Sequence, residues 1–319
     1  MIPPSFGYSR PESKLDALKM LAEGGIDARP LAGGHSIIPM MKLRMATPAQ
    51  LVDIGGLDEL TGVTVVPDLI TIGAATTQHD LIQSAELHAV CPIVRETAEM
   101  IADPQIRYCG TLGGNVGNGD PGNDMPALMQ CLGAKYVCET VNGAREIEAR
   151  DFYQAAYFTS LEPGELITAV KIPQPAVGHG SAYCKLKRKV GDYATAAAAV
   201  TLEMSGGLVR DASIALTNVA DTPLYASEAA DVLRGTRLTK DDVAAAVAAA
   251  EAITEPSADG RGSAEYRTKM AGVMVRRAIA LALSRAGEAE PRIAPPKTTA
   301  QPAAAKESRK GGLFGWRKN

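Results

Sequence analysis

Two short segments, Ala32-Gly33-Gly34-His35-Ser36 and Thr111-Leu112-Gly113-Gly114-Asn115, share one pattern: a small or aliphatic residue, two consecutive glycines, then polar side chains. Paired glycines permit positive φ and remove Cβ atoms, so successive backbone N–H groups can converge on an oxyanion. Ser36, Thr111 and Asn115 can add side-chain donors. The matched pair predicts two loops that hold a diphosphate. Two unrelated tight turns are the competing reading, and the glycines alone leave both open.

A third stretch, Gly117-Asn118-Gly119-Asp120-Pro121-Gly122, fits G-x-G-x-x-G, with Glu139 further on as a dinucleotide fingerprint requires. It follows a glycine-rich loop instead of a buried strand, and Pro121 deletes a backbone donor where a pyrophosphate needs one. Ser36 lies in no G-x-S-x-G elbow, and its sequence neighbour His35 is badly placed as a base, which argues against a serine hydrolase. The four histidines, His35, His79, His88 and His179, lack metal-ligand spacing, so no metal site is expected. The five cysteines form no C-x-x-C cluster, so this chain is not expected to hold an iron–sulfur centre.

At 319 residues the chain is long enough for two or three units. Its net charge of −3 offers no polyanion-binding field, which argues against nucleic acid as a partner. No segment approaches the roughly 20 apolar residues of a membrane span, and the N-terminus lacks signal-peptide character. The expectation is a cytoplasmic protein, associated with the inner face of the membrane only through partners.

The apolar pattern Leu15, Leu18, Leu21, Ala22 predicts a first helix ending at Gly24-Gly25. A hairpin is expected over 63–73, helices over 78–85, 92–101 and 125–132, and strands near 135–139, 166–172, 181–188, 194–204 and 207–217. Helices then dominate: one at 225–234, one opened by Thr239 with Asp242, and one from Ser263 to Arg285. The class is α+β. Pro173 and Pro175 with Gly178 place a break near 175–180. Met40-Met41-Lys42-Leu43-Arg44 reads as a helical, gap-filling run with a solvated or subunit-facing basic side.

The run from Ala32 to Arg44, the Thr111–Asn115 segment and Gly119-Asp120-Pro121-Gly122-Asn123-Asp124 together resemble the FAD-binding medium subunits of the molybdenum hydroxylases. Lys187–Ala194 and Asp259–Arg267 extend the likeness over roughly residues 1–285. Around Gly34–Arg44 it is nearest to the carbon monoxide-oxidising branch. The resemblance implies a PCMH-type FAD-binding domain over 1–176, with α/β subdomains at about 1–58 and 59–176. It also implies a C-terminal domain over 177–285 built on a three-stranded antiparallel sheet and helices. Leu31, Ala32, Gly33, Gly34, His35, Ser36 and Ile37, with Thr111, Leu112, Gly113, Gly114 and Asn115, are implied to bind FAD. It further places Ile101 near the flavin, Asp124 on the ribose or adenine side, Leu166 under a ring and Lys185 within reach of the cofactor. Tyr193 is implied to cover the isoalloxazine and Asp192 to position that loop.

No catalytic acid or base is required of such a chain. A large subunit with a molybdenum cofactor oxidises the substrate, a small subunit with [2Fe-2S] clusters relays electrons, and the FAD chain passes them to an external acceptor such as quinone. A dimer of heterotrimers, a heterohexamer, is the implied assembly. Purine, aldehyde or N-heterocycle oxidation in a related complex, and a stand-alone FAD-binding module, remain alternatives. Beyond the family core, 286–319 holds seven Lys and Arg against three Glu and few large apolar residues until its end. It is expected to be a disordered tether. Its terminal Phe314, Trp316, Arg317 and Lys318 read as a docking motif for a membrane-linked acceptor or carrier.

Overall fold

A computed structural model describes residues 2–287 of the chain. The docking motif Phe314, Trp316, Arg317 and Lys318 lies outside those residues. In the N-terminal unit, β1 (Gly7–Ser9), α1 (Lys14–Gly24), β2 (Ala28–Leu31), α2 (Ile37–Lys42) and β3 (Gln50–Asp53) form a parallel sheet in the order β1-β3-β2. Ser13 starts α1 by accepting a bond from the Asp16 N–H. Ala17, Leu18 and Leu21 then pack against Ala28, Val52 and Ile54. Leu15, expected on that buried face, is 52% exposed; Ala17 takes its place because it sits beside Leu18 and Leu21 on the helix surface. The glycine-rich segment 32–36 is the connection from β2 to α2. It therefore lies past the carboxyl end of a parallel strand, where open α/β sheets bind ligands.

The second unit opens with the expected hairpin, β4 (Val63–Val66) and β5 (Leu69–Gly73). Six short helices follow: α3 (Gln78–Gln83), α4 (Ala85–Val90), α5 (Pro92–Met100), α6 (Pro104–Cys109), α7 (Leu112–Gly117) and α8 (Asp124–Cys131). The chain then returns through β6 (Lys135–Thr140), β7 (Gly143–Glu148), the small hairpin β8 (Tyr153–Ala155) with β9 (Phe158–Thr159), and β10 (Leu166–Pro173). Antiparallel pairing gives the order β4-β5-β10-β6-β7. Ser84 breaks the helix expected over 78–85, since its hydroxyl accepts from the Leu87 N–H and starts α4. The segment expected as a second glycine loop is instead the N-terminus of α7. Thr111 Oγ1 accepts from the Gly114 N–H at 3.0 Å and caps it.

The C-terminal unit contains β11 (Gly180–Leu186), β12 (Ala196–Ser205), β13 (Leu208–Thr217), β14 (Leu224–Tyr225), α9 (Ser227–Leu233), α10 (Lys240–Ala252) and α11 (Ala264–Arg285). The expected three strands are present, and a two-residue fourth, β14, closes the edge through Ala215 and Leu216. The expected capping box of Thr239 and Asp242 opens α10. The alanine run of β12 is buried on both faces. Ala197 and Ala199 join the core with α8, while Ala196 and Ala198 join the core with α11. Alanine at each position lets a helix lie close on either side of the sheet. Arg285 pairs with Glu96 at 2.8 Å and ties the end of α11 to the second unit. Among the described residues no helix is long and apolar enough to cross a membrane.

Candidate cofactor-binding site

The three units meet around a cleft of about 940 Å³, near the upper end of the roughly 300–1,000 Å³ typical of ligand pockets. Ala32, Gly33, Gly34, His35, Ser36 and Ile37 line one side; Thr111, Gly113, Gly114 and Asn115 line another. Ile101, Asp124, Leu166, Lys185, Asp192 and Tyr193 complete the set that the sequence placed here. Leu31 and Leu112 do not line it. Leu31 ends β2, and its carbonyl accepts from the Ile54 N–H. The Leu112 side chain is fully buried in the neighbouring core, and its N–H donates to the Thr76 carbonyl.

The two Gly-Gly pairs do different work. In the first, none of the hydrogen bonds of the described residues uses the N–H of Gly33, Gly34, His35 or Ser36. Gly34 has φ 73°, and Ser36 makes no side-chain cap bond for α2, so four successive donors are left without a partner among the described residues, as an oxyanion requires. In the second pair the donors are spent: Gly113 N–H donates to the Ala74 carbonyl at 2.8 Å, Gly114 N–H to Thr111 Oγ1 and Asn115 N–H to the Thr111 carbonyl. A Cβ on Gly113 would stand 2.6 Å from Ala74 Cβ, and one on Gly33 would run into the Cys109 carbonyl oxygen. The second pair thus lets α7 lie against the end of β5, and Gly33 lets the first loop press on the end of α6. What the second segment can offer a ligand is side-chain chemistry. Asn115 Oδ1 accepts from the Met125 N–H at 3.2 Å, which leaves its NH₂ to donate.

At the rear of the cleft Lys185 Nζ lies 2.7 Å from Asp124 Oδ2, both side chains almost wholly buried, and the Tyr183 hydroxyl donates to Asp124 Oδ1 at 2.6 Å. Burial pushes the Asp124 carboxyl up against the opposing pull of Lys185 and Tyr183. Both carboxylate oxygens are already engaged, so this trio also binds β11 to α8. Burial likewise lowers the ammonium pKa of Lys187, with Lys185 beside it adding to the effect.

At the mouth, Tyr193 packs its ring on Gly122, where a Cβ would come within 2.6 Å of ring Cδ1, and its hydroxyl donates to Asp120 Oδ2 at 3.2 Å. Asp192 is gripped by Arg188 at 2.9 Å and Arg261 at 3.3 Å. Burial works against the Asp192 carboxylate, but the two guanidinium groups outweigh it and hold its pKa below the usual range. The loop of Tyr193 is therefore anchored to the 259–262 turn, a contact between segments far apart in the chain. Tyr157 and Phe158 from the small hairpin also line the cleft, and Tyr157 meets Tyr193 at Asp120. Tyr157 has φ 63°, a conformation costly for an aromatic residue. His35 is exposed and makes no hydrogen bond to another residue.

Sequence reading missed Gln78, Tyr157 and Phe158, since no motif surrounds them. Gln78 is 2% exposed, lines the cleft, and has neither amide atom hydrogen-bonded. Leaving a buried polar group unpaired costs about 1–3 kcal/mol. The free N–H row, the unpaired amide, the ring seat at Tyr193 and the volume all suit a large ligand carrying a diphosphate and a flat ring. FAD is such a molecule. Among the described residues no group of three or more His, Cys, Asp or Glu could hold a metal ion.

The family model described as the FAD binding domain in molybdopterin dehydrogenase matches residues 4–175. The CO dehydrogenase flavoprotein C-terminal domain matches residues 181–282. The chain is 63% identical to the carbon monoxide dehydrogenase medium chain of Afipia carboxidovorans over 286 residues, covering 90% of this chain and 99% of that one. Against the medium chain of Hydrogenophaga pseudoflava the identity is 47%, over 89% of this chain and 99% of the relative. The structure of reconstituted CO dehydrogenase from Oligotropha carboxidovorans superposes with a TM-score of 0.89 at 63% identity, covering 90% of this chain and 100% of that chain. With both family models matched in order and the cleft where they meet, the chain belongs to the FAD-binding medium-subunit family of the molybdenum hydroxylases.

Proposed function

We propose that this chain is the FAD-carrying electron-transfer subunit of an aerobic molybdenum–copper carbon monoxide dehydrogenase. In this reading it takes electrons from the [2Fe-2S] clusters of a small partner subunit and passes them to an external acceptor such as quinone. The supporting observation is the 63% identity to a carbon monoxide dehydrogenase medium chain across 99% of that relative, joined to a cleft whose first glycine loop keeps its N–H donors free. Bound FAD supplies the redox chemistry, since a flavin exchanges electrons singly or in pairs.

The residues of this chain place and shield that group. The N–H groups of Gly33, Gly34, His35 and Ser36 hold the diphosphate, with the side chains of Ser36, Thr111 and Asn115 adding donors. Tyr193 shields one face of the ring, and Asp192 fixes the loop that carries it. Asp124 and Lys185 hold the second and third units in register at the rear. The proposed assembly is a dimer of heterotrimers with a large molybdenum subunit and a small iron–sulfur subunit. Residues 308–319 are proposed to dock the assembly onto a membrane-linked acceptor. Native complex should contain flavin, iron and molybdenum together and reduce an acceptor with carbon monoxide. Turnover with a purine, aldehyde or N-heterocycle in place of carbon monoxide contradicts the substrate, and a flavin-bearing monomer contradicts the assembly.

A further inference from the structure

Among the described residues, Gln78 is the only one that both lines the cleft and keeps buried side-chain polar atoms without a hydrogen-bond partner. It is the first residue of α3, and its own N–H donates to the Gly110 carbonyl at 2.8 Å, directly before Thr111. The flanking bonds from Leu112 N–H to the Thr76 carbonyl and from Gly113 N–H to the Ala74 carbonyl make 74–78 and 110–113 a continuous cleft floor. Gln78 stands in that floor next to the second glycine segment, and Gly33 of the first presses on Cys109 and Gly110 at its edge.

Both the Nε2 donor and the Oε1 acceptor are unpaired. A diphosphate only accepts and would leave Oε1 unsatisfied. A group that donates and accepts at once satisfies both, and the flavin half of the cofactor carries two kinds: ribityl hydroxyls and the N3–H/C4=O edge of the ring. We infer that Gln78 is a further cofactor-contacting residue whose carboxamide pairs with the flavin half of FAD. The pairing needs a side-chain rotation, since both atoms are closed off from water; the broad terminal torsion of glutamine allows it. The unloaded protein holds an amide without partners, and the loaded protein pairs it. The inference rests on FAD as the ligand.

Gln78→Leu, with Gln78→Met as a second variant of matching length, tests it in the native assembly stripped of flavin. Thermal melts are recorded with and without FAD, and FAD, FMN and ADP are titrated separately. The expected result has opposite signs: the unloaded variant melts higher than wild type, while FAD and FMN bind about tenfold or more weakly and ADP binds as before. Unchanged FAD affinity overturns the inference. Loaded and unloaded forms shifting the same way, as for an amide satisfied by a fixed water, also overturn it. A loss confined to ADP overturns the assignment to the flavin half. If stripped wild type does not take up FAD, the cofactor reading fails, and that outcome is separate from a failure at Gln78.

Discussion

At the scale of single residues, the matched glycine pairs have unlike jobs, and a substitution at Gly113 tests the packing role of the second pair. Gly113→Ala improves helix propensity by about 1 kcal/mol, but its Cβ would meet Ala74 Cβ at 2.6 Å and the Ala74 carbonyl oxygen at 2.8 Å. Overpacking against backbone costs about 1–3 kcal/mol, so urea denaturation should show a net loss of stability. A gain would mean that α7 does not lie on β5 as described. Asp192 supplies a pH test. Its folded carboxyl pKa is below the usual value of about 3.9, so its stabilisation is complete above that value and is lost as pH falls through the lowered folded pKa. Asp192→Asn should melt lower than wild type at neutral pH, and the gap should close as pH falls below about 4. A gap independent of pH would remove the ion pairs with Arg188 and Arg261 from the explanation. The glycines were visible in the sequence because, of six Gly-Gly pairs, only these two are followed directly by a polar residue. Their roles were not, because Ala74 and Cys109 are ordinary residues whose proximity only the fold creates.

At the scale of elements, helix starts were legible where a cap and a long apolar pattern coincided, as at Thr239 and Ser263. The short helices α6 and α7 were not. Each is six residues long, too short to show a period, and α7 is written in glycines that normally signal a loop. What makes α7 is the Thr111 cap together with the backbone bonds from Leu112 and Gly113 to the 74–76 strip. Thr111→Ala should therefore cost about 1 kcal/mol of stability, and flavin retention during gel filtration should fall with it. Thr111→Ser keeps the capping oxygen and should restore both. Equal loss in the two variants would assign the effect to the methyl group instead of the cap. Strands with clear alternation, such as β5, were read correctly, whereas β14, a two-residue edge, carries no pattern at all.

At the scale of the whole molecule, the cleft is assembled from segments that no local motif connects: 32–37, 111–115, 157–166 and 185–193. Their meeting depends on pairs distant in sequence, Lys14 with Glu139 at 2.9 Å, Lys185 with Asp124 at 2.7 Å and Arg285 with Glu96 at 2.8 Å. The family likeness supplied this assembly in advance for most site residues. It did not reach Gln78, Tyr157 or Phe158, which enter the cleft through tertiary folding alone. In the proposed function this cleft carries FAD as one station of an electron relay fed by a partner's oxidation of carbon monoxide. The most direct measurement is the visible spectrum of the purified native assembly, recorded anaerobically before and after carbon monoxide. The account predicts stoichiometric FAD whose oxidised absorbance bleaches on adding the gas and recovers with an acceptor; absence of FAD, or flavin that stays oxidised while the assembly is otherwise intact, would contradict it.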